Sequence, residues 1–339
     1  MSGISKKLMM ASAGGDATGS YIAVGNVTTG AGSFVTMLDH TTPGSLSYIT
    51  TYTLSGNSTE VDFSPDGNYV AVSNRSSPFF ALLSWSGSTL SLAATYTLEN
   101  IGLSCRFSPD GNYIAAGNQF SGDYGFTLLD HTTAGSLSLA ATYALSFPWC
   151  NSVSWDPSGD YIAVADLNGL CVLLDHTTPG SVSFADSIAI SGGNYLAEFS
   201  KDGDYILAGP ANPPHISLID HTTPGSLSLA TTYALVNTAN GASFSPDSDY
   251  AAIGHVSSPY FTMLDHTTPG SLSLATTYTL PNAGQKVDFS PDGLYIAVPH
   301  NNSPYFTLLD HSTPGSVSFA ASYIGLSGAG GTAAKFSPN

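Results

Sequence analysis

Short runs rich in Ile, Val, Leu, Ala and Phe alternate along this chain with clusters of Gly, Pro, Asp, Asn and Ser. No run is long enough for a typical helix, and β-branched and aromatic residues are frequent within them, so each reads as a strand. Four strand types recur in fixed order. Strand a ends on an aromatic residue, as at Phe289. Ser-Pro-Asp-Gly follows, a tight turn in which Pro presets φ and Gly accepts positive φ. Strand b is Tyr-Ile-Ala-Val, as at Tyr295–Val298. Strand c is an apolar run such as Phe306-Thr307-Leu308-Leu309, closed by a second turn, Asp-His-(Thr/Ser)-Thr-(Pro/Ala)-Gly. Strand d is a partly alternating segment such as Leu272-Ser273-Leu274-Ala275-Thr276-Thr277-Tyr278.

The strand-b tyrosines, Tyr21, Tyr69, Tyr113, Tyr161, Tyr205, Tyr250 and Tyr295, are 48, 44, 48, 44, 45 and 45 residues apart. A period near 45 built from short strands predicts an all-β, seven-bladed β-propeller with four antiparallel strands per blade. The first blade has no strand a before Tyr21, and the last strand a, ending at Phe336, has no strand b after it. The C-terminal strand is therefore expected to complete the N-terminal blade and close the ring, removing two open sheet edges. Residues 1–19 form an N-terminal arm, anchoring or disordered, and residues 20–339 the propeller. The Phe-Ser-Pro-Asp-Gly-x-Tyr-Ile-Ala repeats over residues 20–339 resemble seven-bladed propellers of the WD40 and YVTN classes. Strand a lacks a preceding Gly-His and strand c ends Leu-Asp rather than Trp-Asp, so the buried hydrogen-bond tetrad that the WD40 resemblance implies is not expected.

Antiparallel order puts the a–b and c–d turns on one face and the b–c and d–a loops on the other. The first face is constant in length and carries 15 of the 24 acidic residues. The second varies in length and sequence, and its neutral polar and aromatic loops suit a glycan or a protein surface. The candidate binding residues there are Arg75, Phe79, Phe80, Phe120, Tyr124, Trp149, Tyr195, His215, His255, Tyr260, His300, Asn301 and Tyr305. The three histidines are expected as exposed loop residues.

Charge narrows the partners. Only 9% of residues are charged, the net charge is −17 and there are seven Lys plus Arg. Such a chain repels nucleic acid and anionic lipid, so neither nucleic acid nor membrane is an expected partner. Cys105, Cys150 and Cys171 have no metal-ligand spacing and read as buried fillers.

Asp and His side by side look like chemistry. Six such turns at the rim of a ring stand too far apart to share one ion, whose bonds to nitrogen are about 2 Å long. They read as structural turns, with calcium on the acidic face as the one cofactor alternative to none. The residues before the strand-a aromatic, Asp62, Arg106, Ser154, Glu198, Ser243, Asp288 and Lys335, read as inter-blade hydrogen-bonding groups bordering the channel. No nucleophile-elbow, zincin, P-loop or dinucleotide pattern occurs. The functional expectation is non-enzymatic: a virion appendage or adhesin, bound to other structural proteins through the face bearing the termini, with homo-oligomerisation possible. The opening "MSGISKKLMMASAGG" resembles N-termini of structural and tail-associated proteins of marine bacterial viruses. Its location would be a virion or extracellular, with cytoplasmic as the alternative. A protein-interaction scaffold and a propeller lactonase or hydrolase with a site in the central funnel are the alternatives in function.

Overall fold

The computed structural model describes residues 20–27, 33–119, 124–146, 149–326 and 330–338. The N-terminal arm and Phe120 lie outside them. Among the described residues, 28 strands form seven four-stranded antiparallel sheets. Blade 1 joins strand a Gly331–Phe336 to strands b Tyr21–Asn26, c Ser33–Asp39 and d Ser47–Leu54. The closing register sets Ala23 opposite Lys335 and Val24 opposite Ala334. Blades 2 to 7 follow in sequence, their strands a being Ser58–Phe63, Gly102–Phe107, Cys150–Trp155, Asn194–Phe199, Ala239–Phe244 and Asp288–Phe289. Each strand a touches those of its two neighbours, and Gly331–Phe336 meets Ser58–Phe63 to complete the circle.

Strands b and c are buried on both faces, which is why they are apolar without alternation. Their side chains fill the spaces between blades: Phe80, Leu82 and Ala71 of blade 2 share a cluster with Cys105, Ile114 and Ala116 of blade 3. All three cysteines are free and buried, and burial pushes each thiol up to about 12.

The two turns of the constant face explain their sequences. In Ser64-Pro65-Asp66-Gly67, Ser64 Oγ donates to Asp66 Oδ1 at 2.6 Å and accepts from the Tyr69 amide at 2.9 Å. Gly67 takes φ of 72°. In the c–d turn of blade 4, Asp175 Oδ1 accepts from the amide of Thr177 at 2.8 Å and from its hydroxyl at 2.6 Å. His176 is buried. Its Nδ1–H donates to the Gly159 carbonyl at 3.0 Å and its Nε2 accepts from the Gly180 amide at 3.1 Å, which specifies the neutral Nδ1 tautomer. Its ring packs edge-on against Trp155 of its own blade and Tyr113 of the preceding blade, both at 5.0 Å. Gly180, at φ 75°, lies against the Tyr113 hydroxyl, where a Cβ would come within 3.2 Å. The Asp-His turn is thus a staple from one blade to the next. The same ring contacts recur at His131, His221, His266 and His311, and at His40 across the ring closure. Blade 2 has no such histidine, and Trp85 packs on Tyr21 in its place, at 5.3 Å.

His176→Ala removes two hydrogen bonds worth about 1 kcal/mol each, together with the ring contacts. A loss of about 2–3 kcal/mol of stability is expected, measured by chemical denaturation, with the metal content of the purified protein unchanged. Wild-type stability in that variant would show that the ring does not hold the blades together.

Candidate functional site

Seven strands a surround an axial channel that opens into a cavity at each end. The constant-face cavity is about 500 Å³. Its collar is the repeated aromatic of each blade and the Pro that follows it in six of them, such as Phe107, Pro109, Trp155 and Pro157, with Lys201 in the Pro position of blade 5, and its floor carries Asp62, Arg106, Glu198, Asp288 and Lys335. The variable-face cavity, about 280 Å³, is lined by residues at which the blades differ, among them Thr59, Asn151, Tyr195, Asn240 and Gln285. Two of the seven Lys and Arg belong to the N-terminal arm. The other five, Arg75, Arg106, Lys201, Lys286 and Lys335, all line one of these cavities. Among the described residues, this acidic chain keeps all of its Lys and Arg along the channel or at its two mouths.

Between the cavities, Glu60 is buried and bonded to both sides. Its Oε1 pairs with Arg106 at 2.8 Å and its Oε2 with Lys286, whose Nζ also donates to the Leu103 carbonyl at 3.0 Å. Burial works to raise the Glu60 carboxyl, but Arg106 and Lys286 outweigh it and hold it below the usual carboxylate range. With both oxygens engaged by cations, Glu60 is a poor base.

The floor of the constant-face cavity differs. Lys335 Nζ lies 3.0 Å from Asp288 Oδ1 and 3.8 Å from Asp62 Oδ1. The second oxygens are structural: Asp62 Oδ2 accepts from the Phe107 amide at 2.8 Å, and Asp288 Oδ2 from the Phe336 amide at 2.9 Å. Ser154 Oγ does the same for the Phe199 amide, so the expected inter-blade bonds are present. Burial raises the Asp62 carboxyl above its ordinary value; Lys335 and Arg106 oppose this only in part, and Asp288 adds to it. Glu198 is served by Lys201 at the rim, at 3.6 Å. A carboxyl of raised proton affinity beside an ammonium in a largely apolar cavity has the composition of an acid–base site. Among the described residues, no group of three His, Cys, Asp or Glu is placed to hold a metal ion.

Of the candidate residues named from the sequence, Arg75 and Tyr195 line the variable-face cavity. The others do not meet there. Tyr124 and Asn301 are exposed and Trp149 is half-buried. Phe79, His215, Tyr260 and Tyr305 occupy one equivalent position, at φ near 70° after a cis proline, so four of the variable loops share a backbone path. Phe80 is fully buried between blades. His255 and His300 are also fully buried, correcting their expected exposure. Each sits at or just past the end of strand b, and its Nε2 meets a strand-c hydroxyl, Thr262 or Thr307, at 3.0 Å. Sequence reasoning placed Lys335, Asp62 and Arg106 beside the channel but missed Lys286 and Glu60. The scarcity of Lys and Arg was the available signal, since a rare residue type kept at few positions invites an account of each.

Burial lowers His255 to about 4 and also lowers His300. Below the ordinary histidine value of about 6.5, the unfolded chain takes up protons that the folded chain refuses. The stability contributed by these neutral rings is therefore complete above pH 6.5 and lost as pH falls towards 4, about 3 kcal/mol for His255. His255→Gln with His300→Gln should flatten the acid side of the stability curve over this window. An unchanged slope would contradict the assignment.

No protein-family model and no curated protein sequence matches the chain. Solved structures do. The periplasmic gluconolactonase PpgL of Pseudomonas aeruginosa superposes with a TM-score of 0.79 at 18% identity, over 94% of this chain and 98% of that one. A candidate 6-phosphogluconolactonase of Bacteroides fragilis gives 0.77 at 16% identity, over 95% and 98%. The propeller domain of Cps50 (Swd1) from Myceliophteria thermophila gives 0.68 at 16% identity, over 86% and 92%. Likenesses at this identity establish the seven-bladed fold, WD40-type propellers included. The non-enzymatic virion or adhesin expectation is corrected by them. The chain is similar over almost its whole length to lactonase propellers, and the phage-tail resemblance of its N-terminus finds no counterpart among these structures.

Proposed function

We propose that this protein is a propeller lactonase that opens the ester ring of a sugar-type lactone in the constant-face cavity. The observation that carries the proposal is the Asp62–Lys335 pair, a carboxyl of raised proton affinity 3.8 Å from an ammonium inside an apolar collar. The likeness to the P. aeruginosa gluconolactonase supports it. Asp62 Oδ1 takes a proton from water as the oxygen of that water adds to the acyl carbon. The negative charge that develops on the carbonyl oxygen is stabilised by Lys335, whose own position is held by Asp288. Collapse breaks the ring C–O bond, and the departing alkoxide takes the proton from Asp62. The product is a hydroxy acid, ionised at neutral pH. Arg106 and Lys201, on the floor and rim, attract the anionic groups of substrate or product. A periplasmic or secreted location, like that of the P. aeruginosa enzyme, accompanies this reading.

Hydrolysis of glucono-δ-lactone and related lactones above the spontaneous rate is the expected activity. Asp62→Asn keeps an acceptor for the Phe107 amide and should lower the rate by roughly 10²–10⁴. Since Asp62 acts as a base, kcat/KM should rise with pH through its raised value, and that acid limb should vanish in the variant. No acceleration with any lactone, or full activity in Asp62→Asn, would overturn the proposal.

A further inference from the structure

The collar of the constant-face cavity breaks its own repeat in blades 4, 5 and 6. In blade 4, Asp156 and Ser158 exchange the places that Ser64 and Asp66 hold in blade 2, and the turn is unaffected. Asp156 Oδ1 accepts from the Tyr161 amide at 2.8 Å, as Ser64 Oγ does from the Tyr69 amide at 2.9 Å. Blade 5 differs in kind, because Lys201 stands where every other blade has proline. A lysine there brings a backbone N–H that proline lacks, and a partner for it. The Oγ of Ser248, in blade 6, accepts from the Lys201 amide at 2.9 Å and from the Asp202 amide at 3.2 Å. Ser248 in turn replaces the glycine of its own turn and is held at φ 63°, a conformation disfavoured for a residue with a Cβ. It has room for that Cβ because the proline is gone: at Gly203 and Gly293 a Cβ would come within 3.0 and 3.2 Å of Pro157 and Pro246 of the preceding blade. Two coupled departures, one of them strained, thus keep one ammonium on the collar.

The Lys201 side chain lines the cavity and is 40% exposed. Its nearest acid, Glu198 Oε1, is 3.6 Å away, an ionic contact too long for a hydrogen bond, so the Nζ–H donors stay open to a ligand. In a ring of seven, blade 5 lies opposite the junction of blades 1 and 2, which supply Lys335 and Asp62. We propose that Lys201 is a specificity-determining residue for the lactonase reaction, a reading on which this inference rests, and that it selects sugar lactones with a carboxylate at the end remote from the reacting carbonyl. The cavity of about 500 Å³ takes a single sugar ring. With the lactone carbonyl at Lys335, the far end of that ring is directed to blade 5. One ammonium matches one carboxylate through a charge-assisted hydrogen bond. A phosphate dianion suits the site less well, because Asp62, Asp156, Glu198 and Asp288 outnumber Arg106, Lys201 and Lys335 on the lining.

The kinetic test compares D-glucaro-1,4-lactone, which has a carboxylate at C6, with D-glucono-1,4-lactone, which has the same ring and a neutral hydroxymethyl group there. The full chain should prefer the first by roughly tenfold or more in kcat/KM, chiefly through KM, and the preference should shrink as salt is raised. Lys201→Pro with Ser248→Gly restores the sequence of the other blades, so it should fold as they do, and it should abolish the preference. Lys201→Arg should keep it. Isothermal titration with sugars that have no lactone to open reads the same site without turnover: glucuronate should bind roughly tenfold more tightly than glucose, more tightly than glucose 6-phosphate, and no better than glucose in the double variant. If no lactone is hydrolysed while glucuronate keeps its Lys201-dependent preference, the lactonase proposal fails and the assignment of Lys201 to a carboxylate stands. Equal affinities for glucuronate and glucose, or a preference that survives the double change, would overturn the role of Lys201. Tighter binding of glucose 6-phosphate than of glucuronate would overturn the choice of carboxylate.

Discussion

A ring of seven sheets has one place where all seven meet, and charge buried there must be paired across blades. The axis of this propeller obeys that constraint closely. Glu60 of blade 2 is held by Arg106 of blade 3 and Lys286 of blade 7, and Lys335 of blade 1 is shared by Asp62 of blade 2 and Asp288 of blade 7. A buried ion left alone costs several kcal/mol, so none of these residues can be changed by itself without consequence. The pairing also separates two cavities of different character, one with an apolar collar and a charged floor, the other lined mainly by polar side chains with Val27 and Leu103 among them.

Structural and chemical roles coincide in single side chains. Asp62 uses one oxygen to receive the amide of the next blade and turns the other to Lys335. The first bond fixes the carboxylate, and burial raises its proton affinity. In the proposed mechanism the base would be positioned by the same bonds that join one blade to the next, which suits a chain whose blades are otherwise near-copies. The staple histidines show the opposite case. His176 has Asp175 beside it in sequence, yet its ring nitrogens are used by Gly180 of its own turn and Gly159 of the a–b turn, and its ring is packed by Tyr113 and Trp155.

Strand order, blade number and ring closure were legible in the chain because each rests on local signals: a tyrosine every 44 to 48 residues, turn residues at fixed offsets, and a last strand a without its strand b. The structural nature of the Asp-His turn was legible from ring geometry, but its contact with the preceding blade's tyrosine was not, since packing between blades leaves no mark on either segment alone. His255 and His300 looked like loop residues because the apolar run of strand b ends before them; in three dimensions each is buried, bonded through its carbonyl to an amide of the next blade, Gly284 or Gly331, and through its ring to a strand-c threonine. The Lys286–Glu60 pair joins residues 226 apart, and only folding brings them together. The variable loops lie at the rim, whereas the paired charges lie on the axis, where different blades contribute one or two residues each and no local motif can form.

The proposed chemistry takes place on the constant-face floor, at Asp62 and Lys335. A crystal structure with an unreactive lactam analogue of a sugar lactone tests it most directly. The analogue should lie inside the constant-face cavity, its carbonyl oxygen within hydrogen-bonding distance of Lys335 Nζ and its ring facing Asp62. An analogue seated at the opposite mouth or on the outer surface, with the Asp62–Lys335 pair untouched, would contradict it.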